Sequence, residues 1–338
     1  MERPQINFKK LAAVLAASLM VFVALGSTAR AQLQKINVAY TATSPYQAAA
    51  IIAKETGLFR KHGLDVTMIF TSGGSLGIQA MVSGDVAINV SDGAASAGAK
   101  LSGIDNVMFA SFLNTFPYSL ISIPELKQVS QLKGTSVAVS RFGSATDLGV
   151  RMALGRLGLN ADKDVTMLQI GAQTARFTAL QAKQVQSTII TPPFTLTARK
   201  LGYNSLIDMA QLNIPYQLTC LTAMRVYIKE HPDVIQAVVA AVSEGIHYYK
   251  TEKAAALKVL ARYLKTDDTE ALEETYREVA LKTLPEKPYP NAAGIQTVLD
   301  EYAKRIPKAK TMKPEEFMDS SFVKKLDDEK FYDRLYKR

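Results

Sequence analysis

One register governs this chain. Laid over itself at an offset of 99 residues without gaps, the segment 36–92 falls on 135–191. Val38 and Ala39 meet Val137 and Ala138, and Asp65-Val66-Thr67-Met68 meets the identical Asp164-Val165-Thr166-Met167. Leu58, Ala80 and Val86 meet Leu157, Ala179 and Val185 in the same frame. Nine identities in 57 positions are few, but they hold one frame through three strand-like runs while the helix punctuation repeats with them. Such a repeat calls for two similar supersecondary units, and therefore two α/β lobes.

Each unit has a readable grammar. Residues 36–40 form a short apolar run, and Ser44-Pro45 supplies an N-cap followed by proline, which predicts a helix from Pro45 that Gly57 stops. After Gly63 the run 65–70 predicts a second strand, ending in Thr71-Ser72-Gly73-Gly74-Ser75. A helix over 75–82, a strand over 86–90, a helix over 93–101 capped by Asp92 and a strand over 107–112 follow, with 120–123 leading out. The second series starts at Thr135, and after Gly202 the segment 214–223 reads as the return to the first lobe. From His231 the pattern is helical. Pro232 opens a helix with Val234, Val238, Val242 and Ile246 on one stripe, Leu257, Leu260 and Leu264 mark the next, and Thr266 or Asp267 caps another. A last helix is expected over 294–306, with a peripheral charged tail after Pro314.

Strand, helix and strand in that order make a parallel βαβ unit, whose strand C-termini open onto a crevice with helix N-terminal N–H groups aimed into it. Six loops meet there: 41–46, 72–75 and 91–94 from the first unit, 140–146, 171–176 and 191–194 from the second. As a set they suit a small polar or anionic molecule. The candidate contacts are Thr41, Ser44, Tyr46, Ser72, Gly73, Gly74, Ser75, Asp92 and Gly93, facing Arg141, Phe142, Gly143, Ser144, Gln173, Thr191 and Phe194. Arg141 and Arg176 are the two planar donor forks near these loops, and Arg141 is the favoured partner for a carboxylate, sulfonate or phosphate. Tyr40, Tyr46, Phe112, Phe142 and Phe194 flank the loops as stacking surfaces or as core.

Other chemistries find little support. His62, His231 and His247 are scattered, and Cys220 is the lone cysteine, so neither a dense metal site nor an intramolecular disulfide is available. Asp65 and Asp164 start strands at the end away from the crevice. No catalytic residue, cofactor or metal is assigned. An exported lyase or hydratase is the rival reading, with Asp92 and Tyr46 or Tyr40 as its acid/base pair; a sensor module for a membrane receptor is another. At the N-terminus, Lys9-Lys10, the apolar run 11–25 and Ala29-Arg30-Ala31 predict a signal peptide over 1–31, cleaved before Gln32. Without it the chain carries 36 basic and 30 acidic side chains, a spread +6 with no cluster suited to nucleic acid.

Six further stretches run through nearly the whole mature chain: ETGLFRKHGLDV at 55–66, IQAMVSGDVAINVSD at 78–92, LKGTSVAVSRFGSATD at 132–147, LGLNADKDV at 157–165, ITPPFTLTARKLGY at 190–203 and KEHPDVIQAVVAAV at 229–242. With them the chain resembles the solute-binding proteins of ABC importers in the nitrate, sulfonate, taurine and thiamine-pyrimidine-precursor group. The resemblance implies a two-lobed type II periplasmic-binding fold, each lobe a mixed, mostly parallel sheet flanked by helices, with a helical C-terminal extension on lobe one. It places lobe one at 34–122 plus 222–338, lobe two at 123–221, and hinges near 121–124 and 218–222. It further implies a monomeric, non-enzymatic periplasmic carrier that closes on a small anionic or heteroaromatic solute and delivers it to a membrane permease with its ATPase. One departure stands out: relatives carry Gly-x-Val-Asp-Ala before the last strand of lobe two, where this chain has Lys183-Gln184-Val185-Gln186-Ser187, so a tight turn and an acid are expected to be missing there.

Overall fold

The computed structural model describes residues 32–337, so the predicted signal peptide lies outside the described residues. The repeat becomes two five-stranded sheets. In chain order, β1 is Gln34–Tyr40, α1 Ala48–Glu55, β2 Leu64–Phe70, α2 Gly74–Val82, β3 Ile88–Asp92, α3 Gly93–Leu101 and β4 Asn106–Thr115. They are followed by β5 Ser119–Ser122, β6 Ser136–Val139, α4 Ala145–Arg156, β7 Thr166–Gln169, α5 Gln173–Gln181, β8 Ser187–Ile190, α6 Phe194–Lys200, β9 Asn204–Asp208 and β10 Pro215–Met224. The first sheet has the order β2-β1-β3-β10-β4 and the second β7-β6-β8-β5-β9. Shifted by 99, α2 lands on α5 residue for residue, and β1, β2, β3 and α3 land on β6, β7, β8 and α6.

Both sheets are mixed. β1 runs parallel to β3, and β6 runs parallel to β7 and β8. The fourth strand is antiparallel in each case: β10 between β3 and β4, β5 between β8 and β9. That arrangement corrects where the chain changes sheets. Ser119–Ser122, expected within 34–122, pairs with β8 and β9 of the second sheet, and Thr219 and Cys220, expected within 123–221, pair with Asp92 and Ser91 of the first. The crossings therefore fall between Thr115 and Ser119 and between Asp208 and Pro215.

Local chemistry explains the remaining differences. The first helix starts at Ala48, not Pro45, because the Gln47 side chain turns back to accept from the Thr41 and Ala42 amides and holds residues 44–47 as a turn. Asp268, rather than Thr266 or Asp267, caps the helix Thr269–Tyr276 by accepting from Ala271 N at 3.0 Å. Lys183 takes the left-handed conformation (φ 56°) at the place where the repeat has Gly84 (φ 86°), so the turn survives without glycine.

After β10 the helices α7 (Pro232–Thr251), α8 (Lys253–Leu264), α9 (Thr269–Tyr276) and α10 (Ala292–Ala303) gather on the first sheet. Close backbone approach is built in by small residues: a Cβ on Gly245 of α7 would stand 2.4 Å from the Ala49 carbonyl of α1, and one on Gly294 of α10 2.6 Å from the Gln217 amide of β10. The tail after Pro314 is part of this core, against expectation. Phe317, Val323 and Tyr332 are buried, and Asp319 N donates to Met108 O of β4 at 2.9 Å. Its charges mask an apolar stripe that the packing uses. The second sheet buries Ile121, Ala138, Phe177, Leu180, Val185 and Ile190 in a smaller core of its own.

Candidate functional site

All the parallel strands whose loops were expected to face one another deliver them to one place. A cavity of about 50 Å³ lies between the sheets, and at roughly 10–15 Å³ per water it has room for three to five waters or a small polyatomic ion. Of the expected contacts, Thr41, Ser44, Tyr46, Gly73, Gly74, Asp92, Ser144, Gln173 and Thr191 line it. Its wall also contains Gln47, Tyr118, Ser140, Thr146, Arg176, Leu218 and Thr219.

The two halves of the wall repeat. Gln47 Oε1 accepts from Thr41 N at 3.1 Å, and 99 residues on Thr146 Oγ1 accepts from Ser140 N at 2.9 Å. Thr41 applied to the 99-residue register points to Ser140, and Gln47 to Thr146; that signal was present in the sequence for both. Tyr118 comes from the crossing before β5, and Leu218 and Thr219 from β10, which the repeat does not cover. Tyr263 of α8 is another support with no sequence signal: its hydroxyl donates to Ala42 O at 2.6 Å and accepts from Ser44 N at 3.3 Å, pinning the first loop.

The remaining expected contacts lie elsewhere. Ser75 Oγ donates to Phe142 O at 2.8 Å, so Ser75 and Phe142 join the two halves at the rim, where the Phe142 ring is 47% exposed. Gly143 offers its carbonyl to the Tyr302 hydroxyl of α10 at 3.3 Å on the same rim. Ser72 faces Gly171 across it, and the Arg141 stem packs at Gly73 instead of sending its guanidinium into the cavity. Gly93 is pressed against Gln217 of β10, where a Cβ would be 2.3 Å from the carbonyl. Phe194 packs edge-on to Phe177 in the second core. Among the other aromatics, Phe112 is core and Tyr40 rests on Phe70 and Tyr263. Residues 73–77 also carry the Gly-x-Ser-x-Gly spacing of a nucleophile elbow. None of the three histidines pairs with Ser75: His62 meets Glu244, while His231 and His247 stack on Tyr227 and Tyr336.

Two charges define the interior. Arg176, on α5, is 3% exposed and donates through Nε to Thr188 Oγ1 (3.3 Å), through Nη1 to Gly171 O (2.6 Å) and through Nη2 to Ile189 O (3.1 Å). A guanidinium has five N–H donors, so two remain, one on each terminal nitrogen. Among the described residues no carboxylate lies within ion-pair distance of it, and burial lowers its pKa to about 10. Asp92 caps α3 by accepting from Ala95 N at 2.8 Å and is 7% exposed. Burial raises its pKa to about 7, against the opposing pull of the Ala95, Ala145 and Ala94 amides. Ala145 opens α4 of the other sheet, so the carboxylate bridges the two halves. Gly74 makes room for it, since a Cβ there would be 2.2 Å from Asp92 Oδ2. Burial lifts the Tyr118 phenol to about 12, between these two charges.

Among the described residues no group of three or more His, Cys, Asp or Glu is arranged to hold a metal, and no helix is long and apolar enough to cross a membrane.

A cleft between two mixed sheets, lined by strand C-terminal loops and crossed twice by the chain, is the architecture of periplasmic binding proteins. The solved structure of an alkanesulfonate-binding protein SsuA from Xanthomonas axonopodis pv. citri, bound to MOPS, matches with a TM-score of 0.71 at 16% identity, over 85% of this chain and 98% of that one. The periplasmic nitrate-binding protein NrtA of Synechocystis PCC 6803 gives 0.74 at 14% identity over 88% and 89%. A structure from Bordetella bronchiseptica RB50 gives 0.77 at 21% over 90% and 98%. The chain belongs to the NMT1/THI5-like family, whose model matches residues 44–256. A Brucella abortus (strain 2308) protein named as a binding protein is 27% identical over 253 residues, 72% of this chain and 76% of its own length.

Proposed function

We propose that this chain is the periplasmic solute-capturing subunit of an ABC importer and that its solute is a small anion. The observation that carries the reading is Arg176, a buried guanidinium with two unused N–H groups and no carboxylate partner among the described residues. Burying a cation without an anion is costly, and a planar donor pair suits the oxygens of a carboxylate, sulfonate or nitrate. The anion role thus passes from Arg141 to Arg176. The similar structures of an alkanesulfonate-binding and a nitrate-binding protein support the class of solute.

Capture would work by closure of two lobes about the crossings at 116–118 and 209–214. Contacts that span the halves support a closed form: Ser75 with Phe142, Tyr302 with Gly143, and on the far side Lys200 Nζ with Glu270 Oε2 at 2.7 Å. A cavity of about 50 Å³ holds a nitrate-sized or short-chain sulfonate ion as it stands, while a larger solute needs the lobes further apart.

Isothermal titration of the mature chain against nitrate, short sulfonates and carboxylates, with solution scattering to follow compaction, tests the reading. At least one anion is expected to bind and compact the protein. Arg176→Gln loses two charged hydrogen bonds, about 3–6 kcal/mol at 1.5–3 each, and so at least a hundredfold in affinity. Full binding by that variant, or no binding of any anion by the unaltered chain, would sink the proposal.

A further inference from the structure

The pseudo-symmetric wall breaks at two positions that matter electrically. The 99-residue register sets Arg176 opposite Gly77 and Asp92 opposite Thr191, so each half contributes one charge that the other lacks. The two are not an ion pair: Arg176 spends its bonds on Gly171 O, Thr188 Oγ1 and Ile189 O, and Asp92 on backbone amides. Both nonetheless line the same small cavity. The groups facing Asp92 are the Tyr118 phenol before β5, Tyr216 and Cys220 on β10 and Tyr302 on α10, all held neutral by burial. Among the described residues Arg176 is therefore the one formal positive charge on the cavity wall.

We propose that Asp92 is the specificity-determining residue of the anion site, restricting it to singly charged anions and turning away doubly charged oxyanions of the same size. The inference rests on the anion-carrier reading and extends it. With both groups ionised the two wall charges cancel; a monoanion brings the site to −1, a dianion to −2, in a space that admits only a few waters and therefore screens weakly. Two like charges sharing such a site are relieved when one takes a proton. A bound monoanion does this through Asp92: binding takes up a proton near neutral pH, and affinity rises as pH falls through about 7. A dianion meets repulsion that one proton only partly removes.

The test is calorimetry on the mature chain, with nitrate and methanesulfonate as monoanions and sulfate as dianion, at pH 6.5 and 8 and in buffers of different ionisation enthalpy. The unaltered chain is expected to bind a monoanion about a hundredfold more tightly than sulfate and to take up a fraction of a proton on binding. Asp92→Asn keeps an N-cap for α3; it should narrow the gap to below tenfold and abolish the proton uptake. An unchanged ratio in that variant, or sulfate binding to the unaltered chain as tightly as the monoanions, overturns the assignment. The proton uptake of the unaltered chain decides the matter even if the variant fails to fold. No binding of any anion overturns the carrier reading and this assignment together, whereas tight monoanion binding with no proton uptake overturns only the role of Asp92.

Discussion

Adding one methyl group at Gly74 should have a cost that the geometry specifies. Gly74 opens α2 outside the left-handed region, so alanine is conformationally allowed there, and any penalty must come from contact. The new Cβ would stand 2.2 Å from Asp92 Oδ2 and 2.7 Å from the Ala95 Cβ, well inside van der Waals distance. Asp92 cannot simply swing away, because its other oxygen holds the Ala95 amide at 2.8 Å. Overpacking of this kind costs about 1–3 kcal/mol, and a loosened cap adds about 1, offset by up to about 1 from the helix preference of alanine. The net expectation is about 1–3 kcal/mol of destabilisation, with weakened anion binding because the carboxylate moves. Gly155 in α4 supplies the control: it too lies outside the left-handed region, and a methyl group added there would meet no heavy atom within 4 Å. Gly155→Ala should stabilise by about 0.4–1 kcal/mol through the unfolded chain. Urea unfolding of both variants against the unaltered protein gives the comparison. If Gly74→Ala were as stable as Gly155→Ala, the carboxylate would not be wedged against α2 and the account of the cavity floor would be wrong.

Two other outcomes follow from groups away from the cavity. Glu244 on α7 accepts from Lys61 Nζ at 2.7 Å and meets His62 Nε2 at 3.1 Å; burial works to raise its pKa, but these partners hold it below the ordinary value of 4.5. Because the folded carboxyl is the stronger acid, its contribution is present above about pH 4.5 and lost as pH falls below it. Glu244→Ala should therefore cost about 1–2 kcal/mol in urea unfolding at pH 7, discounted for the exposure of Lys61, and markedly less at pH 3.5; an equal loss at both would contradict the ionic account. Cys220 is fully buried on β10, and burial lifts its thiol to about 12. A maleimide or aromatic disulfide reagent should leave it untouched in the native protein and label it on unfolding, and rapid native labelling would show that β10 opens.

The strand and helix frame was legible because apolar runs and the strand start Asp-Val-Thr-Met repeat at one offset, and that offset reappears in both sheet orders. The sheet membership of Ser119–Ser122 was not, since four residues with no partner in the repeat carry no sign of which edge they join. At the site, Asp92 announced itself as a helix cap, and Thr41, Gly73, Gly74, Gln173 and Thr191 as loop residues after strands. The sequence favours Arg141 over Arg176, because adjacency to a strand end says nothing about which way a long side chain turns. Arg176 turns inward because Gly171, Thr188 and Ile189 offer it acceptors there, and those come together only in the fold. Tyr118 reaches the cavity from the crossing before β5, and Leu218 and Thr219 from the antiparallel strand β10, all outside the repeat.

The place of β10 has a consequence for how the chain can be made. The second sheet is contiguous, complete once Asp208 is available, whereas the first lacks its strand between β3 and β4 until residues 215–224 have emerged. Cys220 must then find Ser91, 129 residues back in the chain, past a finished second half. Pairings of such separation are slow to form, and until this one closes the facing edges of β3 and β4 are bare. A chain with this topology stays extended and sticky for longer than its size alone requires. Any truncation before residue 215 therefore leaves a fragment with an open first sheet.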